Sequence, residues 1–380
     1  MKIIKFVLGC ILVVTHFGCR DMYKPTIISS AESYLVVEGV LNAGSGPTSI
    51  KLSRTFKLDD TARLQNELNA QVVVEGKDNS THQLTTNGDG IYTSPNLNLL
   101  VNTEYRLRIT TVNGKEYQSD YVVAKKTPPI DSLEFRQNEK GVQIYVNTHD
   151  DSNNTRYYRW DYDDTWEIWS YYYAAYIYDN GWVRPRTSAE DVFTCWKYGK
   201  SNSIILGSSA RLQSDNIYRA PVDFIANDNE KLAVRYSILL RQYALDKKGY
   251  EFYEMMKKNT EGLGSVFDPQ PSEIRGNIHC TSDPRELVIG YISAVTIEEK
   301  RFFIAESQLQ DWRFRQECSD LDIRNNRDSI LLAHQQNLSF YNAVLVQTPG
   351  GIDTPYFKAS RLGCVECPAR GGSTIRPSYW

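Results

Sequence analysis

The sequence predicts a mainly β protein, in which an N-terminal immunoglobulin- or fibronectin-like β-sandwich is followed by a larger β-rich domain with a few helices. Three observations support this fold class. Residues 33–126 contain seven short runs rich in Val, Ile, Tyr and Thr, the residue types that favour strands. Turns rich in Asn and Gly, at 87–90 and 113–114, separate several of these runs. The run at 104–111 alternates apolar and polar residues with a period of two, as a half-buried strand does.

Residues 1–18 have the form of a lipoprotein signal peptide. Two lysines give a positive start, and the apolar run at 6–14 is too short to span a bilayer. A small residue before Cys19, close behind this run, resembles the lipobox of bacterial lipoproteins. We therefore expect lipidation at Cys19 and a polar tether over 19–32. An ordinary signal peptide, cut near Cys19 without a lipid, is the alternative.

The linker at 127–132 (TPPIDS) marks the end of the predicted sandwich, because two prolines interrupt strand pairing. The second domain is predicted over 133–380. Its elements are predicted as strands at 132–135, 142–147, 156–167 and 231–246, a helix at 248–261, paired strands at 287–297 and 300–305 around a turn at Glu298 and Glu299, and a helix at 329–344 capped by Asp328.

The charge balance and the motif content exclude several classes of function. The chain has 43 basic and 46 acidic residues, a net charge of −3, and loss of the signal peptide would remove two lysines. A nucleic-acid-binding protein needs a basic face, so we expect no nucleic-acid partner. The sequence has no HExxH, GxSxG, P-loop or dinucleotide-binding motif. No cofactor and no metal site is therefore predicted.

Five cysteines follow Cys19, and the export signal predicts an oxidising compartment that permits disulfides. An odd number leaves at least one thiol free or paired elsewhere. Cys364 and Cys367 have CxxC spacing, which suits a bridge within the motif or a bridge to Cys318 or Cys280. The same spacing occurs in metal knuckles and redox pairs, but neither a second pair nor a thioredoxin-like context accompanies it.

The run over 156–182 concentrates twelve Tyr and Trp residues. In one interpretation, alternate residues pack the core of the second domain and the others cover its outer face. In the other, some form a stacking platform for a sugar, a peptide or a receptor loop, since rings stack and nearby carboxylates accept hydrogen bonds. The candidate binding residues, some of them close to a predicted turn at 179–181, are Trp166, Trp169, Tyr172, Tyr173 and Trp182.

Carboxylates in the same run allow a third interpretation. Glycoside hydrolysis needs two carboxyl groups with a set separation and different pKa values. More often, such acids solvate the outer face of a strand. We therefore assign no catalytic residue and expect a protein that is not an enzyme. The carboxylates concerned are Asp161, Asp163, Asp164 and Glu167.

Several longer motifs extend over most of the chain. They are LVVEG at 35–39, TPPIDS at 127–132, WDYDDTWE at 160–167 with CW at 195–196, YSILL at 236–240, GSVFDPQPSEIRGNIHC at 264–280, LVIGY at 287–291, the CxxC at 364–367, GGS at 371–373 and PSYW at 377–380. Together they resemble the DUF4249 family, lipoproteins of the Bacteroidetes envelope. Members tend to be encoded beside TonB-dependent outer-membrane receptors. The resemblance therefore implies an outer-membrane lipoprotein that works with such a receptor, and it adds no catalytic residue because the family's activity is unassigned.

From these observations we expect a non-catalytic binding or accessory partner of a TonB-dependent receptor, which captures substrate or gates the barrel. The lipid at Cys19 would hold it in the outer membrane, with the body on the cell-surface side rather than in the periplasm. The ligand is not identified. A structural subunit of an envelope protein assembly is the alternative, followed by a surface hydrolase of glycans or peptides.

Overall fold

The computed structural model of the chain describes residues 33–55, 65–86, 88–261, 275–347 and 353–380. The predicted signal peptide, the tether and Cys19 lie outside these residues. Tyr34–Trp380 forms one compact unit. Strands far outnumber helices in it, which confirms the prediction of a mainly β protein. Within the described ranges, none of the helices is long and apolar enough to cross a membrane.

The strands are numbered in chain order. They are β1 Leu35–Asn42, β2 Thr48–Arg54, β3 Gln65–Asn66, β4 Gln71–Gly76, β5 Thr81–Thr86, β6 Ile91–Ser94, β7 Glu104–Thr110, β8 Glu116–Ser119, β9 Val122–Val123, β10 Ile130–Asn138, β11 Gly141–His149, β12 Tyr157–Trp169, β13 Tyr176–Asp179, β14 Trp182–Pro185, β15 Thr194–Lys200, β16 Ile205–Ser208, β17 Asn216–Ala226, β18 Arg235–Leu245, β19 Ile278–Cys280, β20 Val288–Ile289, β21 Ala294–Val295, β22 Glu298–Ala305, β23 Asp320–Arg324, β24 Leu338–Gln347 and β25 Asp353–Arg361.

The described helices are fewer than the strands. The α-helices are α1 Lys247–Glu261, α2 Arg327–Gln335 and α3 Leu362–Val365, and the 3-10 helices are Ser188–Glu190, Glu230–Leu232, Glu306–Gln308 and Cys367–Arg370.

The N-terminal strands enclose one apolar core. Their sheet follows the order β19-β8-β7-β4-β5-β6-β2-β1-β20. In β7, burial alternates as predicted, with Tyr105, Leu107 and Ile109 inside. Residues from both halves of this path, such as Leu35 of β1 and Tyr117 of β8, meet in the core. Two halves of a sheet packed over one core form a β-sandwich, as the sequence predicts.

Three short strands from late in the chain complete this sandwich. β19 pairs antiparallel with β8, while β20 and β21 pair in parallel with β1. The sheet predicted for 33–126 therefore includes a segment that the sequence assigns to the domain at 133–380. Edge strands accept such additions because their backbone N–H and C=O groups are otherwise unpaired.

A buried ion cluster fastens the same late segment to the sandwich. The Glu286 carboxylate is 7% exposed and accepts a hydrogen bond from the Tyr117 hydroxyl at 2.7 Å. It also pairs with Lys115 Nζ at 2.5 Å and with Arg54 Nη1 at 3.3 Å. Burial works against its ionisation, but the hydrogen bonds from Lys115 and Tyr117 hold the pKa of Glu286 below its ordinary value. The carboxylate is therefore charged at neutral pH.

The second core lies between two further sheets. One has the order β10-β11-β17, and the other has the order β15-β12-β18-β22 with β16 also paired to β12. Tyr158, Trp160 and Tyr162 of β12 are buried between them. The Trp160 indole donates to Gln242 Oε1 at 2.8 Å, and the Gln242 amide donates to the Pro128 carbonyl at 2.7 Å. This chain of hydrogen bonds satisfies the buried polar groups and fixes the Pro-rich linker against the core.

The third core is smaller. The sheet β23-β25-β24 and helix α2 bury Ile330, Phe340 and Phe357. The hairpin of β13 and β14 packs Tyr176 and Tyr178 against them. A turn joins the two hairpin strands with positive φ at both central residues, 180 and 181, which confirms the turn predicted at 179–181.

The predicted helix at 329–344 is wrong over its second half. Helix α2 ends at Gln335, Asn337 takes a left-handed φ of 57°, and β24 follows. Residues 338–347 form a strand because they pair with β25 and gain a ladder of backbone hydrogen bonds. The helical spacing of the local sequence carries no information about this distant partner. The cap is also corrected: the Asn326 side chain, not Asp328, accepts the hydrogen bond from the Ser329 N–H.

The predicted hairpin around Glu298 and Glu299 is wrong as well. Both residues lie within β22, opposite Gln242 and Arg241 of β18. The segment before them instead contributes β20 and β21 to the sandwich. The strands that pair with β20, β21 and β22 are far away in the sequence, so pairing neighbouring segments of the chain with each other gives the wrong sheet.

We expect Glu286→Gln to lower the free energy of unfolding by about 2–3 kcal/mol at neutral pH, because it removes the buried negative charge that pairs with Lys115 and Arg54. The pKa of Glu286 is depressed in the fold, so its contribution is present above its ordinary pKa of 4.5 and is lost as the pH falls through the lowered value. Denaturant unfolding at neutral pH and at about pH 4 checks both effects. In the variant, the acid-dependent loss should be smaller than in the wild type.

Glu104→Gln is the matched control, because its pair with Lys77 at 2.6 Å is solvent-exposed. It should cost no more than about 0.5 kcal/mol. Equal losses for the two variants would contradict a structural role for the buried cluster.

Candidate functional site

The aromatic run divides into a buried half and an exposed half. Tyr158, Trp160 and Tyr162 point into the second core, so the packing interpretation holds for them. The run changes character where β12 ends at Trp169. From there, side chains of the following loop reach solvent. Any binding surface therefore belongs to the end of β12 and to the residues after it.

An exposed aromatic cluster occupies this place: Trp169 and Tyr173 are in ring contact with Phe193, and Tyr171 lines a cleft together with Trp169. Trp169, Tyr171 and Tyr173 are exposed by 50%, 57% and 61%, respectively. The Trp169 and Tyr173 rings both contact the half-buried Phe193, with centroids 5.9 and 5.6 Å apart. Large rings grouped at the surface in this way are typical of a recognition site.

The backbone beneath the cluster is fixed on several sides. The Ser170 N–H donates to the Phe193 carbonyl at 2.9 Å, and the Tyr172 N–H donates to the Cys364 carbonyl at 2.9 Å. The Arg370 guanidinium donates to the Trp169 carbonyl at 2.8 Å. These hydrogen bonds join the loop to Phe193, the residue before β15, and to the C-terminal segment, so the rings project from an ordered backbone.

Two disulfides hold the C-terminal segment in place. Cys195 pairs with Cys367, across 172 residues, and Cys318 pairs with Cys364, across 46 residues. The bridge from the CxxC motif to Cys318 is among those left open by the sequence. The candidate Cys280 is corrected: it is a buried free thiol in the sandwich, and Cys195 supplies the fourth sulfur instead.

Not all predicted binding residues belong to the exposed cluster. The Trp166 ring is half-buried between the second core and the Cys195–Cys367 disulfide, with Lys231 Nζ 5.1 Å from its centroid. Tyr172 stacks on Tyr341 with centroids 4.1 Å apart. Trp182 is 58% exposed, but it lies on the separate β13–β14 hairpin. The structure therefore brings together Trp169 and Tyr173 of the predicted set.

A cleft of about 650 Å³ borders the cluster. Trp169 and Tyr171 line it on one side, and Phe314 and Arg315 lie among its other walls. Arg370 contributes to the lining as well, paired with Glu230 and hydrogen-bonded to Gln316 Oε1 at 3.0 Å. Arg315 is exposed and forms no ion pair or hydrogen bond with the described residues. The cleft thus adds an available cation to the aromatic surface.

The carboxylates of the run are engaged within the fold. Arg241 bridges Asp161 at 2.6 Å and Asp163 at 2.7 Å. Burial opposes the ionisation of Asp163, but the hydrogen bond from Arg241 holds its pKa below the ordinary value. A general acid needs a raised pKa, so this carboxyl group does not suit the acid role of a glycosidase.

The other two carboxylates support the structure around them. Asp164 is buried and accepts hydrogen bonds from Lys231 and Tyr236. Glu167 accepts one from the Trp169 indole at 2.7 Å and another from the Trp380 indole at 2.8 Å. Glu167 therefore orients an exposed ring of the cluster and joins it to the C-terminus.

Among the described residues, no group of three or more His, Cys, Asp or Glu side chains could hold a metal ion. His149 lies 2.7 Å from Asp131, and this hydrogen bond raises the pKa of the imidazole. Asp131 lies on β10 and His149 on the neighbouring β11, so the pair is not part of the aromatic cluster.

Two members of the site carry little signal in the sequence. Phe193 lies outside the aromatic run, and only its position two residues before Cys195 hints at a fixed location. Arg370 follows the CxxC motif in a segment without periodic pattern. A strand-like alternation over 169–173 would have been sufficient to predict Tyr171. Every second residue, namely Trp169, Tyr171 and Tyr173, is exposed, whereas Tyr172 is not.

The chain belongs to the DUF4249 family, described as a domain of unknown function, whose profile matches residues 20–301. The matched part includes the exposed aromatic cluster, whereas Arg315, Arg370 and three of the four disulfide cysteines lie beyond it. No curated protein matches the chain. Among solved structures, a segment of two fibronectin type III domains from chicken tenascin is similar, with 8% identity and a TM-score of 0.16, covering 56% of this chain and 93% of that one. A similarity this low supports no conclusion.

We expect Trp166→Ala to lower the free energy of unfolding by about 3 kcal/mol, since the ring fills space between two buried clusters. Trp169→Ala should cost less than about 1 kcal/mol, because half of its side chain already lies in solvent. Denaturant unfolding of the two variants measures the difference. Similar large losses would show that Trp169 is a core residue and is not available for binding.

Proposed function

We propose that this protein is a non-catalytic binding partner of a TonB-dependent outer-membrane receptor, with the exposed aromatic cluster as its contact surface. The observation that carries this proposal is the grouping of three exposed rings, Trp169, Tyr171 and Tyr173, over a backbone fixed by hydrogen bonds to the residue before β15 and to the C-terminal segment. The receptor itself is suggested by the family resemblance.

The chemistry of the cluster favours a protein or glycan contact. Trp, Tyr and Arg dominate the residues that carry binding energy in interfaces, because large rings bury much apolar area and also offer polar tips. Here Trp169 and Tyr171 share a cleft with Arg315, a cation that forms no ion pair with the described residues. Since the backbone is already ordered, binding would lose little conformational entropy.

The location of the protein is part of the same proposal. The motif at Cys19 supports acylation, and the buried chains would hold the body at the membrane with about 0.8 kcal/mol per CH₂ group. An outer-membrane anchor with the body on the cell-surface side would bring the aromatic cluster within reach of a receptor barrel.

Affinity purification of the full-length lipoprotein from detergent-solubilised native membranes tests the partner. A TonB-dependent barrel recovered in stoichiometric amount is the expected result. Recovery with non-transporter envelope proteins only would favour the structural-subunit alternative. An isolated monomer would contradict both.

The double variant Trp169→Ala/Tyr173→Ala should reduce recovery of the barrel by about tenfold, since both rings belong to the proposed contact. Tyr218→Ala is the matched control, because this tyrosine is 68% exposed on β17, outside the cluster. Both proteins should unfold at nearly the same temperature as the wild type. Equal recovery with the double variant and the control would exclude the cluster as the contact.

The anchor has a separate test. We expect Cys19→Ser to abolish incorporation of radiolabelled palmitate and to move the protein out of the membrane fraction, because the acyl chains supply the membrane affinity. Unchanged labelling and fractionation would refute the lipid anchor and leave the aromatic contact to be judged by the purification.

A further inference from the structure

A second, smaller pocket lies where the sandwich meets the second core. It holds about 370 Å³ and is bounded by β1, β12, the loop at 201–204, helix α1 and the residues after β20. Its lining shares no residue with the cleft beside the exposed aromatic cluster. The volume falls at the lower end of the range for small-molecule sites.

Arg159 is the cation of this pocket, and two tyrosines hold it. Its guanidinium carbon lies 4.4 Å from the centroid of the Tyr243 ring and 4.8 Å from that of the Tyr253 ring. Tyr243 is opposite Arg159 in the β12–β18 ladder, and Tyr253 comes from α1. A guanidinium between two rings is stabilised by cation–π attraction and keeps a defined orientation.

The hydrogen-bond donors of this guanidinium are unused. Arg159 Nε is buried without a hydrogen-bond partner. Throughout the described ranges, the nearest carboxylate oxygen is Asp161 Oδ2, 3.8 Å from Nη2, which is too long for a hydrogen bond. An arginine offers five N–H donors, and leaving buried donors unsatisfied costs free energy. The described residues also leave the two Nη groups without a hydrogen-bond acceptor, and a ligand in the pocket would supply one.

The carboxylates at the pocket are already paired with other cations. Asp161 accepts a hydrogen bond from Arg241 at 2.6 Å. Glu38 lies 3.4 Å from Lys51 on the neighbouring strand. Arg159 therefore lines the pocket as a cation, and no carboxylate of the described residues is hydrogen-bonded to it. The presence of these two negative groups still disfavours a ligand with more than one negative charge.

One wall of the pocket is apolar, and the loop at 201–204 adds the polar residues Ser201, Asn202 and Ser203. Val36, Ile204, Met256 and Ile289 contribute apolar surface to the lining. The loop that carries Ile204 is tied to α1, because Lys257 Nζ donates to the Ile204 carbonyl at 2.8 Å and Glu261 accepts from its N–H at 2.6 Å. A pocket with one oriented cation and an apolar wall suits a ligand with one negative charge and an apolar body.

We propose that this pocket binds a small organic carboxylate, whose carboxylate group accepts hydrogen bonds from Arg159 and whose apolar body lies against Ile204, Met256 and Ile289. The planar fork of a guanidinium matches a carboxylate, and the apolar walls favour a hydrocarbon body over a hydrated anion. The site is independent of the receptor contact proposed above.

Isothermal titration of the purified full-length protein tests this assignment. The probes are straight-chain carboxylates from acetate to octanoate, 4-phenylbutyrate, its neutral amide and inorganic phosphate. We expect one or more of the longer acids to bind, with affinity that rises from acetate along the series. The amide should bind at least about tenfold more weakly than 4-phenylbutyrate, since it lacks the charge-assisted hydrogen bonds.

Variants separate the role of Arg159 from effects on folding. Arg159→Gln should weaken carboxylate binding by at least about tenfold, and Arg159→Lys should give an intermediate loss, because it retains the charge without the fork. Arg285→Gln is the matched control, since Arg285 is 94% exposed and is not part of the lining. Thermal unfolding of each variant shows whether it folds.

Three results would overturn the proposal: no binding of any carboxylate in the series to the wild type, equal affinity for 4-phenylbutyrate and its amide, or tighter binding of phosphate than of the acids. The comparison of acid and amide needs only the wild type, so it stands even if Arg159→Gln does not fold.

Discussion

The antiparallel ladder between β12 and β18 is the interaction on which both proposed binding sites depend. Eleven residue pairs join the strands, from Tyr157 and Leu245 to Glu167 and Arg235. Side chains of a strand alternate between its two faces, so one face of β12 builds the second core through Trp160 while the other presents Arg159 to a pocket. At its end, the same strand delivers Trp169 to the surface. A single ladder therefore fixes the relative position of core, pocket and surface rings.

Beyond the end of this ladder, two disulfides fix the chain around the exposed rings. The Cys195–Cys367 bridge ties β15 to the C-terminal segment, and Cys318–Cys364 ties that segment to the chain before β23. Disulfides that close long loops restrict the unfolded chain. They also place two groups beside the loop at 169–173: Arg370 donates a hydrogen bond to the Trp169 carbonyl, and the Cys364 carbonyl accepts one from the Tyr172 N–H. The exposed rings are thus ordered by groups from far along the sequence, which suits a surface that binds without rearranging.

Local pattern predicted the elements whose two faces differ strongly. The alternation in β7 agrees with the burial of Tyr105, and the helical spacing after 247 corresponds to α1. Of the two interpretations of the aromatic run, core packing holds for Tyr158 and Trp160. The local sequence pattern gave wrong predictions where pairing with a distant strand determines the secondary structure. Residues 338–344 look helical by spacing yet pair with β25, and 288–295 join the sandwich instead of β22. In both cases a hydrogen-bond ladder to a remote strand outweighs the local preference.

Composition, period and motif are sufficient to predict the mainly β class, the inward face of β7, the turn at 179–181 and the family. The tertiary structure decided which aromatic side chains are free, which cysteines pair, and that the Arg159 guanidinium lies unbonded between two tyrosines. Each of these depends on distances between residues that are far apart in the chain, such as Trp169 and Phe193 or Arg159 and Tyr253. A one-dimensional pattern has no access to such distances, since only the packed fold brings the partners together.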